Sequence, residues 1–172
     1  MNEIAELFRR LSVGVYVIGV PDGERHGAFT AAWVTQVSFD PPLLVLSVNP
    51  QNASYALLRT GGVFTVNVLE RGQLELARRF GTTSSREEDK LAGIAWHPAG
   101  NGAPVLDDAL AYFECELQDR HPAGDHELVI GLVLGGRVLD PNAVPMLYAE
   151  TGDMDGSSAL FTVERPPSDP SA

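Results

Sequence analysis

Three groups of side chains in this sequence have the types and spacing to do chemistry. Polar residues stand at the ends of apolar runs: Thr30, Ser47, Asn49 and Ser54. A hydroxyl run follows at Thr82, Thr83, Ser84 and Ser85, with the cations Arg86 and Lys90 close behind. Hydroxyls, backbone amides and one or two cations suit a phosphorylated, polyhydroxylated ligand. Asn52 opens a helical segment, so the free N–H groups at Ala53 and Ser54 favour a phosphate there. The alternative for all of these is ordinary turn and cap duty. The four histidines, His26, His97, His121 and His126, lack metal spacing on a helix. His121, Asp125 and His126 flank one turn without a convincing further ligand, so no metal is assigned. Neither a phosphate-binding Gly-Lys-Ser/Thr loop, a Gly-x-Gly-x-x-Gly after a strand nor a serine elbow occurs. Glu87-Glu88-Asp89 reads as a solvated face rather than a glycosidase pair.

The whole chain narrows the setting. Its 172 residues suit one core, and 17 Gly with 12 Pro imply many turns and short strands. A net charge of −11 without a basic run argues against nucleic acid and anionic lipid. The lone Cys115 alternates with Glu114 and Glu116 and reads as a buried thiol; no internal disulfide is possible. No leader pattern and no membrane-length apolar run are evident, so a reduced, cytoplasmic protein is expected.

The elements that position these residues follow from periodicity. Helices are expected over 2–10, 52–59 and 73–80. Strands are expected over 13–20, from 26 to the Asp40-Pro41-Pro42 turn, and over 43–48, 63–69, 109–118, 127–139 and 146–148. Residues 81–103 read as a long loop, and loops of that length are more often functional than idle. Strands without β-α-β alternation predict a mainly β protein, an antiparallel barrel with short helices over its openings. One domain is expected over 1–160, followed by a flexible tail over 161–172. The small residues at 31 and 32 leave room for a flat ring against the backbone.

Taken together, "HGAFTAAWVTQVSFDPPLLVLSVNP", "SYALLRTGGVFTVNVL", "ELARRFG", "GAPVLDDALAYFECEL" and "GDHELVIGLV" resemble the flavin reductase-like, FMN-binding split-barrel family. Order and spacing agree from about Leu11 to Tyr148. The resemblance implies an antiparallel split β-barrel of Greek-key type and a homodimer holding FMN, or FAD, near its interface. It implies NADH or NADPH as hydride donor and a partner monooxygenase or other electron acceptor. By position, Thr30, Ala31, Ala32 and Trp33 would border the flavin ring, and Ser47, Val48 and Asn49 the ribityl chain. Ala53, Ser54, Ser85, Arg86 and Lys90 would serve the phosphate; Phe80 is counted among the cofactor contacts, with core packing as its alternative. His126 would face the nicotinamide. Hydride transfer is the cofactor's chemistry, which agrees with the missing acid–base constellations. Many members carry a serine-bearing Thr-Ala-Ser-Ser; here Ala32 and Trp33 replace it, and Trp33 either covers the ring or fills barrel volume. That change keeps other readings open: a flavin- or haem-binding electron carrier or sensor without turnover, or a dimeric interaction module with a vestigial site.

Overall fold

The computed structural model describes residues 3–23, 25–82 and 89–161. A short helix, α1 (Glu3–Phe8), leads into β1 (Tyr16–Asp22) and β2 (Arg25–Ala31). Then come β3 (Val34–Ser38), β4 (Leu43–Val48), α2 (Ala53–Gly61), β5 (Val63–Val68) and α3 (Leu74–Thr82). Two short strands, β6 (Trp96–Pro98) and β7 (Pro104–Leu106), pair with each other. Two long strands, β8 (Ala111–Ala123) and β9 (His126–Val138), precede two short 3-10 turns, Tyr148–Thr151 and Ser157–Ala159.

The large sheet has seven strands in the order β2-β1-β5-β8-β9-β4-β3, all neighbours antiparallel. β2 and β3 lie at opposite ends of that order, yet only Ala32 and Trp33 separate them in the chain. The two edges therefore adjoin, and the sheet curls into a barrel, which protects its edge hydrogen bonds. Register shifts at Glu114/Cys115 and Leu117/Asp119 mark bulges that bend the long β8–β9 ribbon.

The stretch before Asp40 departs from the expected single strand. It breaks at Ala32-Trp33, where the Val34 N–H donates to Ala32 O at 3.2 Å, a three-residue turn. The cause is closure: the chain must leave one edge and join β4 on the other, and the Ser47 N–H donates to Trp33 O at 2.9 Å. The expected loop over 81–103 likewise contains β6 within its described part. The expected strand at 146–148 is reduced to an isolated bridge, Gly14 to Leu147.

β1 is apolar on both faces because both are covered. Ile18 and Val20 join Phe29, Leu46, Phe64, Val66 and Val129 inside the barrel, where Tyr55 and Leu58 of α2 close one opening. Val15 and Val17 face a second cluster with Ala28, Ala77, Phe80 and Leu106, beneath α3 and the β6–β7 hairpin. Cys115 is fully buried, and burial pushes its thiol up to about 12, so it is inert packing at neutral pH. Asn67 is fully buried on β5; its amide donates to Val17 O at 3.0 Å and its oxygen accepts from Leu106 N at 2.9 Å. It ties the β7 segment to the sheet rather than meeting a ligand.

Gly27 explains part of the small-residue pattern differently from a ligand. A Cβ there would lie 2.9 Å from Leu57 Cδ1 and from Val20 Cγ2, so the glycine admits α2 against the sheet. Ala28, also buried, leaves room on the opposite face near Ala77 of α3.

Candidate functional site

The break between β2 and β3, the end of β4 and the start of α2 share one rim of the barrel. A cleft of about 170 Å³ opens there. Its floor is small and apolar, from Ala31, Ala32 and Val48, and Thr30, Ser47, Asn49 and Asn52 stand around it. Thr30 is held in place because its Oγ1 donates to Ala77 O of α3 at 2.6 Å. Asn52 caps α2, its Oδ1 accepting from Ser54 N at 3.0 Å.

A second, larger cleft of about 330 Å³ adjoins the first. α1 and the chain before β1 supply Phe8, Arg9, Leu11 and Val13, and the returning C-terminal segment supplies Ser157, Ser158, Leu160 and Phe161. That segment is strapped down at three points. Arg9 pairs with Asp153 at 3.3 Å, Phe161 stacks on Phe8 with centroids 5.4 Å apart, and Tyr148 contacts Asp155 and Ser157. Gly152 and Gly156, both at φ 67°, provide the left-handed turns that fold it back.

Trp33, His126 and Tyr148 line both clefts and form their common wall. The indole is 46% exposed and lies 4.9 Å from the imidazole, tilted by 50°. His126 Nδ1 contacts Asp125 Oδ1 at 2.8 Å, which leaves Nε2 as the ring's other polar atom. That hydrogen bond is the main reason the Asp125 carboxyl sits below its usual range. Tyr148 donates its single proton to Asp155 Oδ2 at 2.8 Å and contacts Ser157 Oγ at 2.7 Å, while burial raises its phenol above the ordinary range. With its proton committed to a carboxylate, Tyr148 orients the wall rather than donating to a ligand.

Thr30, Ala31, Ala32, Trp33, Ser47, Val48, Asn49 and His126 are thus gathered on one cleft. Other expected contacts are placed elsewhere. Ser54 is 1% exposed inside the first turn of α2, and Ala53 beside it does not line either cleft. Phe80 is 1% exposed in the second core cluster, so it packs α3 onto the sheet and offers no face to a ligand. Lys90 is buried too, with Nζ donating to Phe80 O at 2.9 Å; burial lowers its ammonium from the ordinary range. Its anchor adjoins Gly81, where an added Cβ would lie 3.5 Å from Thr30 Cβ, so Lys90 stands behind the cleft rather than on it. Ser85 and Arg86 lie outside the described residues.

Sequence reasoning missed Arg9, Asp155 and the role of Tyr148. Their only local signal is the turn-rich acidic stretch "TGDMDGSS", which does not say where it folds back to.

The family model of the flavin reductase like domain matches residues 8–157. A diflavin flavoprotein A 1 of Synechocystis is 38% identical over 80% of this chain and 24% of its own length. The chain spans about a quarter of the length of the diflavin relatives it matches. Among solved structures, the NADH:FAD oxidoreductase of Streptomyces globisporus C-1027, in complex with NAD and FAD fragments, is similar at TM-score 0.79 and 29% identity. That match covers 87% of this chain and 88% of the other. An FMN-binding protein of Thermus thermophilus with bound p-hydroxybenzaldehyde is similar at TM-score 0.71 and 32% identity, over 75% of this chain and 73% of the other. The barrel described above is the split barrel it shares with these neighbours.

Proposed function

The chain belongs to the flavin reductase-like domain family, and from that premise we propose that it is an NAD(P)H-dependent flavin reductase holding FMN in the smaller cleft. The observation that carries this is the shared rim. A floor of small apolar residues, an aromatic wall and a ring of short polar side chains meet where β2, β3 and β4 end. Those residues fit a flat apolar ring with a polar edge and a hydroxylated tail. Ala31 and Ala32 let the ring approach the backbone, Trp33 offers it a stacking face, and Ser47 and Asn49 suit the tail. The N-terminus of α2, whose Asn52 cap lines the cleft, favours the phosphate.

The bound flavin would supply N5 as the acceptor of a hydride from nicotinamide C4. The chain's own task is to hold two flat rings in register and keep water away, which is catalysis by proximity and orientation. The larger cleft fits the second ring. It is walled by Phe8, Trp33, Tyr148 and Phe161, and His126 stands at its boundary with the first. Its 330 Å³ lies within the span of small-molecule sites, about 300–1,000 Å³.

The smaller cleft, at 170 Å³, falls below that span and needs another wall. On the β3 edge that starts after Trp33, Val37 is 51% exposed, and Phe39, just past the strand's end, is 90% exposed. We assign that wall to a second copy of the chain, so that the flavin lies near the interface of a homodimer. As a module of longer relatives, the domain would hand electrons to a flavoprotein partner.

The test is a titration of the purified protein with FMN, followed by absorbance and melting temperature. The expected result is a perturbed flavin spectrum and a melting temperature several degrees higher at saturation, since a ligand at 100 Kd adds about 2.7 kcal/mol. A spectrum identical to free FMN and no stabilisation would sink the proposal. A second reading, a flavin-binding electron carrier without NAD(P)H turnover, is favoured by one feature: the Trp33 indole stands between the two clefts, where the second ring must approach.

A further inference from the structure

We propose that Arg9 binds the phosphates of the hydride donor, exchanging Asp153 for them; this rests on the placement of a nicotinamide nucleotide in the larger cleft. A dinucleotide brings negative phosphates to a chain whose net charge is −11. Among the described residues lining the two clefts, Arg9 is the one Lys or Arg, and it faces a neighbourhood that includes Asp125 and Asp155. Without it, no Lys or Arg among the described lining residues would offset those carboxylates.

The present partner of Arg9 holds it weakly. Among the described residues its guanidinium makes one contact, Nη2 to Asp153 Oδ1 at 3.3 Å, longer than a good charge-assisted bond. The pair is exposed, 27% and 44% for the two side chains, and pairs of this kind contribute little. Asp153 does not depend on it. The Ser158 N–H donates to Asp153 Oδ1 at 3.1 Å, and the Ser158 hydroxyl donates to Oδ2. Those bonds, ahead of Arg9, keep the Asp153 carboxyl below its usual range. Asp153 therefore stays satisfied when Arg9 turns away. The guanidinium fork, with five N–H donors, matches two phosphate oxygens better than one carboxylate oxygen at this length.

The exchange leaves the strap in place. Asp153 belongs to the segment that carries Asp155 and Ser157 to the Tyr148 wall. Loss of the Arg9 contact leaves the Phe8–Phe161 stack and the Tyr148 contacts holding the segment.

The experiment uses the flavin-loaded full chain with two donors: NADH or NADPH, and 1-benzyl-1,4-dihydronicotinamide, which has no phosphate. Arg9→Gln is expected to raise KM for the dinucleotide about tenfold or more, with kcat within about twofold. The same variant leaves kcat/KM for the benzyl donor within about twofold. Arg9→Lys gives an intermediate KM, because it keeps the charge and loses the fork. Asp153→Asn lowers the dinucleotide KM by removing the competitor. Calorimetry of NAD⁺ binding follows the same order without turnover. Equal losses with both donors in Arg9→Gln, or no change with either, overturn the role of Arg9. A wild-type protein that oxidises the benzyl donor but neither dinucleotide also overturns it while leaving the flavin site standing. Failure with every donor overturns the placement beneath it as well.

Discussion

Trp33 is the side chain on which the two clefts meet, and its emission reports what enters them. The chain has two tryptophans, and Trp96 sits elsewhere, edge-on to His26 at 4.9 Å. In a Trp96→Phe protein, added FMN is expected to quench the remaining emission by more than half, with the midpoint of the flavin's own spectral change. Unquenched emission alongside bound flavin would show that the indole serves the barrel and not the ring. Another residue-level prediction concerns Tyr55, buried on α2, whose hydroxyl donates to Glu127 Oε2 while Arg120 Nη1 lies 3.2 Å from the same oxygen. The Tyr55 bond holds the Glu127 carboxyl below its ordinary 4.5, and burial raises the Tyr55 phenol above 10.0. A lowered carboxyl stabilises the fold fully above its unfolded value and loses that contribution as pH falls through the folded value. A raised phenol stabilises below its unfolded value and loses it as pH rises through the folded one. Tyr55→Phe should therefore be less stable than wild type at neutral pH, with the gap narrowing below about 4.5 and above about 10. Chemical denaturation across pH checks this; a gap that does not change with pH refutes the linkage. The rim residues Thr30, Ser47 and Asn49 were legible because strand ends next to turns are local signals. Arg9 and Asp155 were not, because each reaches the site through a fold-back of the chain that no local pattern encodes.

Elements are held in place by close approaches that only small residues permit. Gly19 of β1 is one such case: an added Cβ would lie 2.5 Å from Pro104 O and 2.6 Å from Thr65 Oγ1. The first of these is backbone, so β7 itself would have to move. Gly19→Ala is expected to cost about 1–3 kcal/mol, several degrees in melting temperature, with the Asn67 bond to Leu106 disturbed. A variant as stable as wild type would mean that β7 is free to shift. Asn52→Ala should cost about 1 kcal/mol by removing the α2 cap, and it should weaken FMN as well if that helix start receives the phosphate. Most elements were readable from hydrophobic periodicity, including α2 with its Asn52 cap and the β8–β9 ribbon. The break inside the stretch 26–39 was not. Its residues all suit extended chain, and what divides them at Ala32-Trp33 is the closure of the sheet, a property of seven strands together.

At the scale of the whole molecule, the barrel was legible from many short strands without β-α-β alternation, but its completeness as a site was not. Val37 on β3, at 51% exposure, and Phe39 just past its far end, at 90%, lie along the strand that leads away from the cleft, while Leu134 and Val138 are more than half exposed on β9. If a second copy covers the β3 edge, sedimentation should give a dimer, and Phe39→Asp should give monomers that bind FMN at least tenfold more weakly. Monomeric wild-type protein with full FMN affinity would place the missing wall within the chain. The central claim, hydride transfer across the Trp33–His126 wall, is tested most directly by adding NADH or NADPH to the FMN-loaded protein without oxygen. The account predicts that the visible flavin absorbance bleaches at a rate that saturates with donor concentration, and returns when air is admitted. A bound flavin that keeps its absorbance with either donor would contradict it.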